Sequence, residues 1–266
     1  MSPLPISVQI LTWNSEKTLE RALLSVKQCA EILVIDGGSS DQTIAIAEKF
    51  NARVVPQRFP GAQGQPLMNF GAARSIGLEH ATQPWILCLD SDEVMSPQAM
   101  EEISRIVLKS SEPAAYWVPR LYVQEDGSVI ERASTYPNER IYFFRKDAID
   151  GWEKPVHERV RLKPGITPGH LKMGTFAPLA PLGVFRSKLT QYLRIEVEES
   201  RNKGWIHWFK RVLHTLRSRL IALLRLTKIW LLPGKGKRLP MRYEWTRFWY
   251  AWKLIILTCP LYEDTH

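Results

Sequence analysis

The sequence contains few cysteines and lacks several motifs that mark common protein classes. Its three cysteines, Cys29, Cys88 and Cys259, lie far apart and do not have the spacing of a metal site. They indicate a reducing compartment and no disulfide framework. The phosphate-binding motif GxxxxGK[ST] is missing, which argues against a P-loop protein. There is no internal repeat and no low-complexity run, so a repeat architecture is not expected.

Acidic residues are scarce in one part of the chain only. Residues 201–266 hold 14 Lys or Arg against 3 Asp or Glu, together with six of the ten Trp. The first 200 residues hold 22 basic and 24 acidic residues, and the N-terminal stretch MSPLPISVQILTWN has no features of a signal peptide. The change in composition predicts an α/β domain over residues 1–185 and a helical, basic and aromatic tail over residues 186–266.

Short apolar strands alternate with helices in the first half of the chain. Strands are predicted at residues 6–12, 31–36, 53–55, 85–89, 115–123 and 141–145. Helices are predicted at about residues 16–28, 41–50, 67–80, 97–109 and 188–202. This alternation predicts an α/β fold with a mainly parallel central sheet that is flanked by helices.

The stretch WILCLDSDE, residues 85–93, combines a buried strand with an acidic end. Three carboxylates within four residues repel one another, and a hard divalent cation such as Mg²⁺ or Mn²⁺ would offset this repulsion. Open α/β sheets bind ligands at the carboxyl ends of their strands, so a metal site is one interpretation. The alternative is a polar turn before the next helix, with Ser96 as its N-cap and Pro97 at N1.

Two further strand ends carry polar side chains. Asp36 ends the second strand as Asp90 ends the later one, and in a parallel sheet both face one crevice. Asp36 can accept hydrogen bonds from a nucleotide's base or ribose, and Gly37 and Gly38 allow a ligand to approach the backbone. Taken singly, however, Asp-Gly-Gly is a tight turn and Asn14 is a cap.

These blocks stand in the order found in a known family. The first strand ends in Thr12-Trp13-Asn14, the second runs into DGGSSDQT, and the later apolar strand ends in DSD. In this order the chain resembles the inverting family-two glycosyltransferases with the nucleotide-sugar-binding GT-A fold, over roughly residues 5–160. The resemblance implies a Rossmann-like domain, a nucleotide-sugar donor and a divalent metal, Mg²⁺ or Mn²⁺, as the cofactor.

The resemblance also places particular residues around the donor: Thr12, Asn14, Glu16, Asp36, Ser39, Arg74 and Asp90. Asp36 would contact the base, and Asp90 would face the ribose or the diphosphate. Arg74 stands at the basic position of the family's segment under the nucleotide, although the family often has Asn where Ser75 stands. Asp92 would bind the metal that bridges the diphosphate.

A general base for the acceptor hydroxyl is expected within residues 136–160. This segment resembles the subgroup of lipopolysaccharide-core β-glucosyltransferases, in which an Arg-Leu-Phe-Arg-like strand precedes Val-His-Glu. Glu158 is the candidate base, with His157 as its neighbour or alternative. Glu158 paired with Arg159 or Arg161 on a solvated strand is the other interpretation. The Gln-x-x-Arg-Trp motif of processive synthases is missing, so one sugar per encounter is expected.

The tail is predicted to form two amphipathic helices, at residues 205–232 and 243–258. In the first, basic residues share an arc of about 120° opposite the apolar ones, apart from Arg219. The repeated charges argue against a spanning helix and favour one that lies in an anionic membrane surface. Packing on the catalytic domain or on another protomer is the alternative. Nucleic acid is not expected as a partner, because the apolar residues form a continuous stripe.

The sequence therefore predicts an inverting, metal-dependent hexosyltransferase. It would move a sugar from a nucleotide sugar, a UDP-hexose, to a hydroxyl of a lipid-linked or glycan acceptor of the cell envelope. The expected location is the cytoplasm, peripheral on the inner face of the membrane. Two rival hypotheses remain open at this point, namely a sugar nucleotidyltransferase and a non-catalytic membrane-binding module with a nucleotide-sugar fold.

Overall fold

The computed structural model describes residues 2–57, 69–109, 113–153, 158–200 and 203–262. The chain folds into two compact units, of which the first comprises Met1–Leu121 and Pro137–Pro178 and the second Tyr122–Tyr136 and Leu179–His266. The domain boundary that the composition indicates, between residues 185 and 186, stays a prediction. Nothing in the sequence pattern indicated that Tyr122–Tyr136 belongs with the C-terminal residues.

The strands and helices follow the predicted alternation. The strands are β1 (Leu4–Thr12), β2 (Cys29–Asp36), β3 (Arg53–Pro56), β4 (Trp85–Asp90), β5 (Val94–Met95), β6 (Ala115–Val123), β7 (Val129–Arg132), β8 (Glu139–Arg145), β9 (Ile149–Glu153), β10 (Arg159–Leu162), β11 (Gly169–His170), β12 (Thr175–Pro178) and β13 (Lys237–Arg238). The helices are α1 (Leu19–Ser25), α2 (Thr43–Lys49), α3 (Phe70–His80), α4 (Pro97–Val107), α5 (Leu182–Ser200), α6 (Gly204–Leu231) and α7 (Met241–Leu257).

The first unit is built on a mixed sheet with the strand order β6-β8-β4-β1-β2-β3. The four strands β4, β1, β2 and β3 are parallel to one another, whereas β8 runs antiparallel to β4 and β6 antiparallel to β8. The predicted α/β class, with a central sheet flanked by helices, is confirmed. The run of adjacent parallel strands consists of these four, whereas β8 and β6 pair antiparallel and the short strand β11 pairs parallel with β6.

The parallel strands form because most of their side chains are apolar on both faces. Val8, Ile10, Leu33 and Leu87 have no exposed surface, as expected for strands covered by helices on each side. The thiols of Cys29 and Cys88 lie in this core, where burial raises the pKa of each to about 12. All three cysteines are free, which agrees with the predicted absence of a disulfide framework.

Helix α4 begins where the sequence predicted it. The Ser96 hydroxyl accepts a hydrogen bond from the Ala99 N–H, and Pro97 takes the first helical position. Helix α1 begins three residues later than predicted, because the carbonyl of Ser15 first accepts hydrogen bonds from Thr18 and Leu19 in a turn. The predicted start of α3 near residue 67 lies outside the described residues, and α3 is described from Phe70.

The second unit contains the end of β6, the short strands β7 and β13, and the helices α5 to α7. Arg211 on α6 forms an ion pair with Glu196 on α5 at 2.7 Å. The indole N–H of Trp208 donates to the carbonyl of Ile255 on α7 at 2.9 Å. The buried carboxylate of Glu244 accepts hydrogen bonds from the backbone and the hydroxyl of Ser134. These polar contacts join α6 to α5 and to α7, and α7 to the residues that follow β7.

Helix α6 leaves an apolar face exposed. Its buried positions are Thr215, Ala222 and Leu226, whereas one arc of about 100° carries large exposed apolar side chains. These exposed residues are Trp205, Ile206, Phe209, Leu213, Leu216, Leu220, Leu223, Leu224 and Leu231. None of the helices in the described ranges has the length and apolar character needed to cross a bilayer.

Candidate active site

The site lies at the carboxyl ends of three neighbouring parallel strands. Strand β1 is flanked by β2 on one side and by β4 on the other. In the strand register Thr12 faces Asp36, and Leu11 faces Asp90. The strand order reverses between β1 and β4, and ligands of open α/β sheets bind at such a switch point. The structure therefore brings the predicted residues of β1, β2 and β4 to one edge.

Asp90, at the end of β4, is held by two arginines. The Arg74 Nη2 atom lies 2.7 Å from Asp90 Oδ1, and the Arg140 Nη1 atom lies 3.3 Å from Asp90 Oδ2. Each carboxylate oxygen thus has a cationic partner. This arrangement fixes the orientation of Asp90 and compensates its charge.

Glu93 is a buried member of the same acidic group. Its carboxylate is 1% exposed and forms a close ion pair with Arg120, while Arg140 lies 3.9 Å away. Burial raises the pKa of Glu93, and the positive charge of Arg120 opposes this rise. The ionised carboxylate therefore depends on its arginine, which gives Glu93 a structural role that the sequence did not indicate.

Asp92 differs from both of its acidic neighbours. Its carboxylate lies with those of Asp90 and Glu93 in a group whose ligand atoms are all within 4.8 Å of one another. Asp92 is half-buried and has no hydrogen bond or ion pair with another of the described residues. Asp92 is thus the carboxylate of the group that remains available for a cation, and hard divalent ions favour such oxygens.

Asp36 organises the loop that follows β2. Its Oδ1 accepts hydrogen bonds from the hydroxyls of Thr12 and Ser39 at 2.8 and 2.6 Å. Its Oδ2 accepts from the backbone N–H groups of Gly38 and Ser39, both at 2.8 Å. A carboxylate has about four acceptor positions, and all are occupied here. In this structure Asp36 shapes the loop, in which Gly38 has a φ of 87°.

The loops after β1 and β2 are tied together by side chains. The backbone N–H of Asn14 donates to the Ser39 hydroxyl at 2.8 Å, and Asn14 Oδ1 accepts from the Ser40 N–H at 2.9 Å. Asn14 has a φ of 48°, a left-handed conformation that Asn adopts more readily than most residues. Glu16 is exposed and accepts from the Gln42 N–H at 3.2 Å. The loops therefore form one connected surface beside Asp36.

Arg74 is fully buried and has no exposed side-chain surface. Its Nη1 atom donates to the carbonyl of Gln9 at 2.8 Å, and Nη1 and Nη2 both lie 3.3 Å from the carbonyl of Leu89. The guanidinium is held by these carbonyls and by Asp90, and it supports the ends of β1 and β4. The contact of Arg74 with the donor stays a prediction.

Glu158 is connected to this cluster by hydrogen bonds through Tyr142. The Tyr142 hydroxyl donates to Glu158 Oε1 at 2.6 Å and accepts from Arg140 Nη1 at 2.5 Å. The described residues show no ion pair between Glu158 and the neighbouring Arg159 or Arg161, which was the alternative interpretation. His157, the other candidate base, lies outside the described residues.

Three functional neighbours were missed at the sequence level, namely Arg120, Arg140 and Tyr142. Each lies on β6 or β8, whose antiparallel pairing carries the side chains back to the end of β4. The available signal was Arg120 in the segment AYWVPRLYV and Arg140 in the segment NERIYFFR. A basic residue within an otherwise buried strand requires a compensating charge.

The comparisons with known proteins agree with this site. The model of the family "Glycosyl transferase family 2" matches residues 7–159. The lipopolysaccharide core biosynthesis glycosyltransferase LpsC of Rhizobium meliloti is 26% identical over 219 residues, which are 80% of this chain and 77% of LpsC. An uncharacterized glycosyltransferase of Rickettsia bellii is 37% identical over 102 residues, which are 38% of this chain and 32% of that protein.

Two solved structures are also similar to the chain. TarS of S. aureus is 18% identical, with a TM-score of 0.43, over 73% of this chain and 39% of TarS. Glucosyl-3-phosphoglycerate synthase from Mycobacterium tuberculosis, solved with Mn²⁺, UDP and glucosyl-3-phosphoglycerate, is 26% identical, with a TM-score of 0.35, over 44% of this chain and 43% of that one. Both TM-scores are low, and the family assignment depends on the sequence match.

The matched residues 7–159 are more than half of the chain and include all the strand ends that build the site. This match decides against the nucleotidyltransferase hypothesis. The chain belongs to glycosyl transferase family 2 and is a glycosyltransferase.

Proposed function

We propose that the chain transfers a hexose, with inversion, from a UDP-hexose to a hydroxyl of a lipid-linked glycan of the cell envelope. The observation that carries this proposal is the available carboxylate of Asp92 at the carboxyl end of β4, beside two carboxylates that arginines already neutralise. The similarity to LpsC, whose name assigns it to lipopolysaccharide core biosynthesis, supports a glycolipid acceptor.

The donor set fits a divalent metal, Mg²⁺ or Mn²⁺. Asp92 would hold it, and the carboxylate of Asp90 lies in the same group, whereas Glu93 is committed to Arg120. When bound, such an ion neutralises charge that develops on a leaving diphosphate. Arg140 is the site arginine with substantial exposure, 31%, and adds a fixed positive charge beside Asp90.

The loops after β1 and β2 would hold the nucleoside. Thr12, Asn14 and Ser39 order the loop around Asp36 by hydrogen bonds. Glu16 accepts a hydrogen bond from the backbone of Gln42 at the edge of this loop. Because the oxygens of Asp36 are already satisfied, a base that binds here must share or replace one of these hydrogen bonds. The role of Asp36 is then to fix the backbone against which the base lies.

Glu158 would act as the general base. The acceptor hydroxyl gives its proton to Glu158, while its oxygen bonds to the anomeric carbon from the face opposite the diphosphate. The bond from the anomeric carbon to the diphosphate oxygen breaks, and its electron pair leaves with the nucleoside diphosphate. General-base assistance of this kind is worth about 10²–10⁴-fold in rate.

The exposed face of α6 would rest on an anionic membrane surface at the inner face of the cytoplasmic membrane. Lys210, Arg217 and Lys228 adjoin the exposed apolar arc, and Trp245 on α7 is exposed as well. Apolar residues with a basic border suit the boundary between headgroups and acyl chains. This placement would bring a lipid-linked acceptor close to the enzyme.

A thermal-shift panel of nucleotide sugars with and without Mn²⁺ tests the donor and metal assignments. A donor present at 100 times its dissociation constant stabilises the native state by about 2.7 kcal/mol. We expect a rise in melting temperature with a UDP-hexose and Mn²⁺, and a much smaller rise for Asp92→Asn. Glu101→Gln removes an exposed carboxylate elsewhere in the first unit and is the control. Equal Mn²⁺-dependent shifts in wild type and Asp92→Asn would refute the metal assignment.

A further inference from the structure

Tyr142 lies on β8 with its ring almost fully buried, although its hydroxyl makes two hydrogen bonds. The hydroxyl accepts from Arg140 Nη1 at 2.5 Å and donates to Glu158 Oε1 at 2.6 Å. Burial raises the pKa of Tyr142 well above its usual value, so the hydroxyl retains the proton that it donates. A phenylalanine would fill the same space, and the hydroxyl therefore requires a separate explanation.

The ring of Tyr142 is fixed in place by charged and aromatic neighbours. The guanidinium carbons of Arg74 and Arg140 lie 5.2 and 4.9 Å from its centroid, within cation–π range. Trp152 meets the ring edge-on at a centroid distance of 6.3 Å. A ring held by three neighbours presents its hydroxyl in one direction, toward Glu158.

The same contacts connect the candidate base to the donor side of the site. Arg140 and Tyr142 are two residues apart on β8 and share one face of the strand. Arg140 also contacts Asp90 Oδ2 at 3.3 Å. Asp90, Arg140, Tyr142 and Glu158 are thus connected by one continuous series of polar contacts. Glu158 Oε2 has no hydrogen-bond partner among the described residues.

We infer that Tyr142 is a positioning residue for the transfer reaction: it holds Glu158 by Oε1 and leaves Oε2 free to meet the acceptor hydroxyl. This inference rests on the proposed role of Glu158 as the general base. Tyr142 itself touches neither substrate nor metal in this scheme. Its hydroxyl fixes the direction of the base, and Arg140 fixes the hydroxyl.

The test is a double-mutant cycle with Tyr142→Phe and Glu158→Gln. The assay follows UDP release from UDP-glucose with Mn²⁺ and truncated lipopolysaccharide as acceptor. Tyr142→Phe is expected to lower kcat by about 10-fold or more with little change in the donor KM, because proton transfer and not donor binding is impaired. In the Glu158→Gln background the same change is expected to have almost no further effect, because the group that Tyr142 positions is gone.

A matched control is Tyr243→Phe in the second unit. Tyr243 is as buried as Tyr142, and its hydroxyl donates to the carbonyl of Ala180 at 2.9 Å. We expect similar changes in melting temperature for the two Phe variants but unchanged kcat for Tyr243→Phe. Glu158→Asp is a second variant. It shortens the side chain and so breaks the same hydrogen bond while Tyr142 itself is unchanged. It is expected to lower kcat to a similar extent.

The possible outcomes separate this inference from the proposed function. Full activity of Glu158→Gln would refute the assignment of Glu158 as the general base and with it the proposed mechanism. Loss of activity in Glu158→Gln together with full kcat in Tyr142→Phe and Glu158→Asp would overturn the positioning role alone. Independent, multiplicative losses in the double variant would also overturn it, because Tyr142 would then act by another route.

Discussion

The strand-end cluster of the first unit and helix α6 of the second unit differ in which side chains they bury. The cluster buries charged side chains, whereas α6 exposes apolar ones. In the cluster, Asp90 and Glu93 are held by arginines, and the charges are partly or fully buried. On α6 the buried positions include Thr215 and Ala222, while large apolar residues face outward. Ion pairs hold the side chains of the cluster in fixed positions, as a reaction site requires. An exposed apolar face, by contrast, marks a surface that interacts with a partner or a membrane. The contrast indicates that the two units perform different tasks.

The first prediction tests whether the buried charges of the first unit are structural. Glu93→Ala leaves Arg120 buried without its carboxylate, and breaking a buried pair costs about 3–5 kcal/mol. The free energy of unfolding in urea should fall by that amount. Glu101→Ala, which removes an exposed carboxylate, should change it by less than about 0.5 kcal/mol. A small loss for Glu93→Ala would show that the Arg120 ion pair is not structural.

The second prediction compares the closed core of the first unit with the end of α7. Because burial raises the pKa of Cys29 and Cys88 to about 12, their thiolates are almost absent at pH 8. Since the thiolate is the reacting form, these two cysteines should be alkylated about 10³-fold more slowly than an ordinary thiol. We expect iodoacetamide at pH 8 to label Cys259, which is half-buried, and to leave the other two unlabelled. Mass spectrometry of the native protein checks this, and three labelled cysteines would contradict it.

The third prediction concerns the loop that Asp36 organises. Thr12→Val keeps the side-chain shape and removes a hydroxyl that donates to a buried carboxylate. Such a hydrogen bond contributes about 1.5–3 kcal/mol, and chemical denaturation should show a loss in this range. Thr190→Val is the control, since that hydroxyl donates to the carbonyl of Arg186 on an exposed helix face. Equal effects of the two substitutions would argue against a special role for the Thr12–Asp36 contact.

The fourth prediction has the smallest effect on stability and concerns the exposed face of α6. The triple variant Leu213→Ser, Leu220→Ser and Leu224→Ser should change the free energy of unfolding by less than about 0.5 kcal/mol per site. Its co-sedimentation with vesicles that contain phosphatidylglycerol should nevertheless be lost. Leu108→Ser replaces an equally exposed leucine in the first unit and should sediment like the wild type. Wild-type sedimentation of the triple variant would refute membrane attachment through this face.

The sequence predicted the parallel part of the fold well, since the strands that end at Thr12, Asp36 and Asp90 are largely apolar runs. The N-cap at Ser96 was equally local and is confirmed. Short strands such as β11 and β12 were missed, because a strand of two to four residues depends on the partner backbone more than on its own side chains. The irregular Pro- and Gly-rich segment gave no periodic signal there.

The site was predicted in part for the same reason. Asp90 and Asp92 stand in one local block, which the sequence shows directly. The ion pairs of Arg120 and Arg140 join residues that are distant in the chain, and charge alone does not reveal such partners. The burial of Arg74 could not be anticipated either, because a basic residue beside an acidic site suggests a ligand contact. The structure shows Arg74 fully buried and paired with Asp90.

The central claim is that Asp92 is the carboxylate left open for the metal that assists donor cleavage, and Asp92→Asn tests it most directly. The measurement is UDP release from UDP-glucose at saturating Mn²⁺ and donor, compared with Glu101→Gln. Loss of several kcal/mol of transition-state stabilisation predicts a fall in turnover on the order of 10²-fold or more, with an unchanged melting temperature of the free protein. Full turnover of Asp92→Asn under these conditions would contradict the account.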